Sequence, residues 1–366
     1  MTGVAPPAAG TAEAGPSPSH PPADFRDRLR TAFAAALGGA VLHLLHVPLA
    51  WMIGAMLATA ALSWHRPVAV WPWARPAGLV FLGLALGSSF SGPVLAAVSG
   101  ALPMLLVAGV LAIASGFVVA RLFTRLAGTD RQTGFFCAVP GGIIVMAVLA
   151  QEAGAAVATV TLAQTMRVLV VVLTFPPLLG WLAPHGDFGA FTAAQEAVRP
   201  GWLLAMAAGG LLLAWPLRWA GLANPWMLGP CGLAIGLAST GHLPSGVPVA
   251  LVDAAQVAMG ATLGTRLTRS FVLSSRRLAL ASLISAAVLS VLLTGLAVGL
   301  GLLSGLPVAA MILGMAPGGT PEMALTAKAL EFAVPLVLGF HLTRTVLCNL
   351  LVGPLHRLGL RWGLLG

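Results

Sequence analysis

Two pairs of polar side chains stand inside apolar runs that would otherwise read as plain membrane-spanning sequence. Gln164 and Arg167 lie three apart within the run 157–182, and His341 and Arg344 lie three apart within 333–356. A spacing of three puts both members of each pair on one side of a helix. Both arginines fall near mid-run, too deep to reach an interface easily, and ionisable groups at such depth are costly enough to point to function. The chemistry on offer is charge, because a guanidinium holds an anionic solute, a carboxylate or backbone carbonyls. Glu322, with Thr320 just before it, is the acid placed to pair with Arg344 or His341 or to take up a coupling proton. The plainer alternative is that each arginine pairs with a nearby carbonyl or carboxylate and only holds the fold.

Each pair follows a helix-breaking motif, Val139-Pro140-Gly141-Gly142 in one place and Ala316-Pro317-Gly318-Gly319 in the other. Proline lacks an N–H and glycine tolerates unusual dihedrals, so such a motif interrupts a helix and frees backbone groups. Lipid cannot satisfy those groups, so the broken backbone must face protein or a wet cavity. A helix restarting after the break offers free N–H groups and a positive dipole end, which suits an anion or a polar solute. One break alone reads as a kinked helix packed on its neighbours; two matched breaks point to the central site of a transporter. The expected substrate-binding set is Pro140, Gly141, Gly142, Gln164, Arg167, Pro317, Gly318, Gly319, Thr320, Glu322, His341 and Arg344. Glu152, Lys328 and Glu331 fall toward the ends of these segments and are left out. His43 and His46 are three apart with no third ligand nearby in sequence, so neither a metal site nor a cofactor is expected.

The elements that must position these residues come in two copies. The offset that carries Pro140 onto Pro317 superimposes the two Pro-Gly-Gly motifs, and it also carries Met146-Ala147 onto Met323-Ala324, Arg167 onto Arg344, and Pro177 onto Pro354. Gly83 and Gly87 fall on Gly260 and Gly264, and Trp51-Met52-Ile53-Gly54 resembles Trp226-Met227-Leu228-Gly229 with the offset shortened by two. Basic residues cluster in the loops around Arg66 and Arg75 and around Arg121, Arg125 and Arg131, and then around Arg266, Arg269, Arg276 and Arg277. Basic loops face the cytoplasm, so equivalent loops lie on opposite sides and the copies are inverted. The expected fold is all-α and polytopic, two inverted repeats of about five spans plus one re-entrant or broken helix each. The expected layout is a disordered tail over 1–24, membrane repeats over 25–183 and 200–366, and a loop over 184–199 between them. Arg26, Arg28 and Arg30 put the N-terminus on the cytoplasmic side of a bacterial inner membrane.

Composition bounds what remains. Of 366 residues, 58% are hydrophobic and 8% charged, against about 25% charged for an ordinary soluble chain. The net charge of +9 rests on eighteen arginines and Lys328, most of them between apolar runs. There they act as topology signals rather than as a nucleic-acid stripe. Cys137, Cys231 and Cys348 match no metal or redox spacing.

The segments PGGIIVMAVLAQEAGA and LAQTMRVLVVV, with PGGTPEMAL and FHLTRTVLCNLLVGPL, resemble the membrane AbrB duplication family, and the resemblance covers nearly everything after residue 30. Members carry an acid before the Met in both repeats; Glu322 keeps it here and Val145 does not. Names used in that family, AbrB-type regulator and ammonia monooxygenase, imply gene regulation or copper chemistry. Neither a solvated DNA-reading element nor a cluster of histidines accompanies them in this sequence, so no enzyme is expected. The leading expectation is a secondary transporter or permease for a small polar, anionic solute bound near the midplane. The other is a membrane sensor that affects gene expression through a partner. Lipid and a small solute are the expected partners, with a homo-oligomer as a further one and no nucleic acid.

Overall fold

A computed structural model of the chain describes residues 24–182, 196–220, 222, 224–269, 276–363 and 365. The tail expected over 1–24 lies outside the described residues except for Asp24, and the loop expected over 184–199 except for its last four. Among the described residues the chain is all-helical. The first half carries α1 (Phe25–Leu44), α2 (Ala50–Ser63), α3 (Ala74–Gly87), α4 (Gly92–Gly100), α5 (Leu102–Ala127), α6 (Arg131–Ala138), α7 (Ile143–Glu152) and α8 (Val157–Leu182). The second carries α9 (Pro200–Trp219), α10 (Pro225–Ser239), α11 (Val249–Gly264), α12 (Arg276–Ser304), α13 (Val308–Met315), α14 (Thr320–Ala329) and α15 (Val334–Arg361).

Five of these helices, α5, α8, α9, α12 and α15, are long and apolar enough to cross a membrane. The chain is therefore a multi-pass membrane protein. Ten full spans are not reached by helix length alone. The apolar α2 and α11 have 14 and 16 residues, and at 1.5 Å per residue they reach about 21–24 Å against a bilayer core of about 30 Å. The segment between α3 and α5 holds a short helix. Ser91 stands at its N-cap with Pro93 in the first turn, and α4 leaves α3 at 89°.

Element starts recur at the same offset as the sequence motifs. Helices α6, α7 and α8 begin at Arg131, Ile143 and Val157, and their counterparts α13, α14 and α15 begin at Val308, Thr320 and Val334, in the same register to the residue. Left-handed backbone recurs with them. Gly128 and Gly305 stop α5 and α12 with φ of 69° and 70°, and Gly154 and Glu331 follow α7 and α14 with φ of 74° and 56°. A side chain in that region costs about 1–2 kcal/mol, and glycine avoids the cost. Glu331→Gly should therefore stabilise the protein by about 1 kcal/mol, and Gly154→Ala should cost a similar amount. Paired thermal melts in detergent check both, and equal melting temperatures for Glu331→Gly and wild type would count against the strain.

Packing between the halves is reciprocal. A Cβ on Gly83 would run into the backbone of Met227, and one on Gly87 into Cys231 and Ala234, so α3 lies directly on α10. In the same way Gly260 lies on Met52 and Gly264 on Met56 and Thr59, so α11 lies on α2. Gly38 and Gly54 bring α1 and α2 into similar contact. Small residues that let backbones meet are the usual basis of helix association in lipid, where burial of apolar surface gives no net drive. One buried core runs through both halves, with Met52, Leu82 and Val171 from the first and Met227, Met311 and Leu336 from the second.

Candidate functional site

Both Pro-Gly-Gly motifs interrupt helices, α6 from α7 and α13 from α14. The glycines serve a different end from the one their chemistry suggests. None of Gly141, Gly142, Gly318 and Gly319 has left-handed backbone; Gly142 and Gly319 are extended, with φ of −69° and −79°. Gly141 and Gly318 stand where a side chain would be crowded. A Cβ at Gly318 would stand 2.9 Å from Met323 Cγ and 3.0 Å from Val171 Cγ1, and Gly141 has Met146 beneath it in the equivalent way.

Gln164, Arg167, His341 and Arg344 are all buried, and each is committed to the broken ends of α6 and α13. Gln164 Nε2 donates to the carbonyls of Phe136 at 2.7 Å and Val139 at 3.0 Å. Arg167 donates from Nη1 to Val139 O and from Nη2 to Gly141 O, both at 3.1 Å, and from Nε across the halves to Pro317 O at 2.8 Å. Arg344 donates from Nη1 to Ala316 O at 2.7 Å and from Nη2 to Gly318 O at 2.9 Å. His341 Nε2 lies 3.0 Å from Leu313 O, and its Nδ1 lies 3.0 Å from Arg344 Nη2. A carbonyl only accepts and a guanidinium only donates, so Nε2 carries the proton and the imidazole is neutral.

Four carbonyls at one break thus have four counterparts at the other: Phe136 with Leu313, Val139 with Ala316, Pro140 with Pro317, and Gly141 with Gly318. The match is incomplete at one point, since Arg167 and not Arg344 reaches the opposite half. A cation at a helix C-terminus also meets the negative end of the helix dipole. Both arginines therefore satisfy the orphan carbonyls that the breaks create.

Glu322 is buried at 4% exposure on the first turn of α14, with its carboxylate folded back over Gly319. Pairing with Arg344 or His341 is not what the structure shows. Among the described residues the ion pair within 4 Å is Arg30–Asp27, and Arg344 is taken up by carbonyls and His341. Glu322 faces a cavity of about 140 Å³ between the two breaks. Of the sequence-derived set, Pro140, Gly141, Gly142, Arg167, Gly318, Gly319, Thr320, Glu322 and Arg344 line this cavity, while Gln164, Pro317 and His341 stand behind it.

Sequence reading missed Arg75, Asn224, Thr262 and Arg266, which complete the wall. Arg75 opens α3 and Arg266 follows α11, and both sit among topology arginines with nothing in the sequence to set them apart. Asn224 caps α10 in left-handed backbone with φ of 54°, as Leu49 caps α2 with φ of 53°. Elsewhere, His43 stacks on Trp51 at 5.5 Å between ring centres, and Lys328 Nζ donates to Ala85 O at 3.1 Å.

A family model described as transition state regulatory protein AbrB matches residues 51–359. The chain is 30% identical over 357 residues to "Uncharacterized protein YhjN" of Bacillus subtilis, covering 88% of this chain and 91% of that one. It is 28% identical over 161 residues to "Putative regulator AbrB" of Escherichia coli, covering 43% of this chain and 46% of that one.

Proposed function

This chain belongs to the AbrB family, and from that premise we propose that it is a secondary transporter for a small anionic solute, bound between two inverted copies of one repeat. The observation that carries the reading is the convergence on one cavity of four guanidinium groups, one carboxylate and the N-termini of α7 and α14. Positive helix ends and arginines together favour an anion, and matched broken helices are the architecture in which such sites occur.

Inversion of the copies is supported by contacts among the basic segments. Arg277 at the start of α12 donates to Leu126 O at the end of its counterpart α5 at 2.9 Å. Arg131 reaches Gly363 O at 3.4 Å, Trp64 Nε1 donates to Leu267 O at 2.9 Å, and Phe25 meets Trp71 edge-on. The basic clusters of both halves thus lie side by side, as expected of one cytoplasmic face with the N-terminus on it. Arg75 and Arg266 belong to that face and to the cavity wall, so the cavity opens inward in this state. At the repeat counterparts of Asn224, Thr262 and Arg75 stand Leu49, Ala85 and Val252, all buried. Alternating access would bury the first set and open the second.

Purified protein in liposomes should take up a labelled small anion in exchange for the same unlabelled anion inside, well above protein-free vesicles. Acetate, propionate, pyruvate, benzoate and inorganic phosphate form the panel, with choline as a cationic control. Exchange of choline alone would exclude an anion site, and exchange of nothing would move the sensor reading, which the regulatory names of the relatives favour, ahead of this one.

A further inference from the structure

Arg167 and Arg344 line the cavity, but three of the five N–H groups of each are already given to backbone carbonyls and, for Arg344, to His341, so a solute is held mainly by charge from elsewhere. We infer that the solute is a small organic carboxylate held by Arg75 and Arg266, with Glu322 as a competing carboxylate in the same cavity. The inference rests on the transporter reading and names the substrate class and the residues that select it.

Three observations carry it. Arg75, Arg266, Asn224, Thr320 and Glu322 all line the cavity, and among the described residues none of their side chains makes a hydrogen bond or ion pair with the protein. Polar groups at a cavity wall with no protein partner are groups left for a ligand. Arg75 and Glu322 are, besides, the charges that act on Arg266, so the three share one neighbourhood. Apolar side chains, Ile143, Val168 and Leu263, also line the cavity, which favours an organic acid over a bare oxyanion. A cavity of about 140 Å³ is close to the engineered cavity of about 150 Å³ that admits benzene, which limits the solute to about six heavy atoms. A planar guanidinium grips a carboxylate through two parallel hydrogen bonds, and two guanidiniums compensate for the water it leaves.

The Glu322 carboxylate is chemically the same group as the solute's, and it lines the same cavity as these cations. Its charge repels a solute carboxylate there and competes for the same guanidinium groups. The charged groups facing it are Arg75 from α3, Arg266 after α11, Arg167 from α8 and Arg344 from α15, and neutral His341 stands behind Arg344.

Binding of pyruvate, propionate, benzoate and inorganic phosphate to the detergent-purified full chain, measured by calorimetry, tests the proposal. Wild type should bind pyruvate or propionate more tightly than phosphate. Arg75→Gln and Arg266→Gln should each weaken that binding at least tenfold while leaving the ligand-free melting temperature unchanged, and Arg218→Gln should change neither. Glu322→Gln, which removes the competing charge, should bind the carboxylate more tightly than wild type. If wild type binds a carboxylate but the Arg75 and Arg266 variants match it, the inference fails and the transporter reading stands. If phosphate binds best through both arginines, the site takes an inorganic oxyanion and the organic class is wrong. Wild type that binds none of these probes takes the transporter reading down with it.

Discussion

Arg167→Ala should fail to yield a stable folded protein, even though the residue sits at what reads as a solute site. Truncation leaves the carbonyls of Gly141 and Pro317 without the donors they have now, while Val139 O keeps Gln164. An unsatisfied buried polar group costs about 1–3 kcal/mol, so two of them together cost about 2–6 kcal/mol, before the packing of the buried stem is counted. A folded chain has only about 5–15 kcal/mol in hand. Arg344→Ala should behave alike, since Ala316 O and Gly318 O lose theirs. Arg167→Lys should recover part of the loss, because a lysine keeps the charge but cannot bridge three carbonyls in one plane. The monodisperse fraction on size exclusion and the melting temperature in detergent read the effect. An Arg167→Ala protein that elutes and melts like wild type would show that the breaks stand without it and return the arginine to the solute.

The second large effect comes from helix packing. Gly260→Leu should be as damaging as the loss of either arginine, because its side chain must enter a helix contact that has no room for it. Beyond the Met52 carbonyl itself, a Cβ there stands 3.0 Å from both Ala55 Cβ and Met52 C, and these are backbone and a methyl with no rotamer to yield. Overpacking of a close contact costs about 1–3 kcal/mol where neighbours can shift, and more where the obstacle is a helix axis. Gly83→Leu should match it on the other side, against Met227. Gly295→Leu is the control, since nothing lies within 4 Å of that position, and it should melt as wild type does. Equal melting temperatures for Gly260→Leu and Gly295→Leu would show that α2 and α11 do not depend on this approach. The two predictions separate the roles of packing and polar satisfaction, and both differ from the anion-binding variants at Arg75 and Arg266, which should change affinity and leave stability alone.

The breaks, the polar pairs that serve them and the doubled order of elements were all legible in the sequence. The reason is that each has a local cause. A proline removes an N–H wherever it stands, a polar residue inside an apolar run has to find a partner, and a constant offset between matching motifs is visible without coordinates. Membrane residence follows from composition by the same logic, since lipid is the solvent that such a surface requires. What only tertiary structure decided is which partner each group found. Arg167 and Arg344 look alike to a solute and to a carbonyl, and the choice between them depends on where the free ends of α6 and α13 lie. Arg75 and Arg266 look like any other topology arginines until folding brings the start of α3 and the end of α11 to the same cavity as Glu322. The glycines of the two motifs suggested strained dihedrals, yet Gly141 and Gly318 leave room for Met146 and Met323, a requirement set by what packs beneath them. Sequence specifies the charge and the break; the distances between segments far apart in the chain determine whether a charge holds the backbone or waits for a solute.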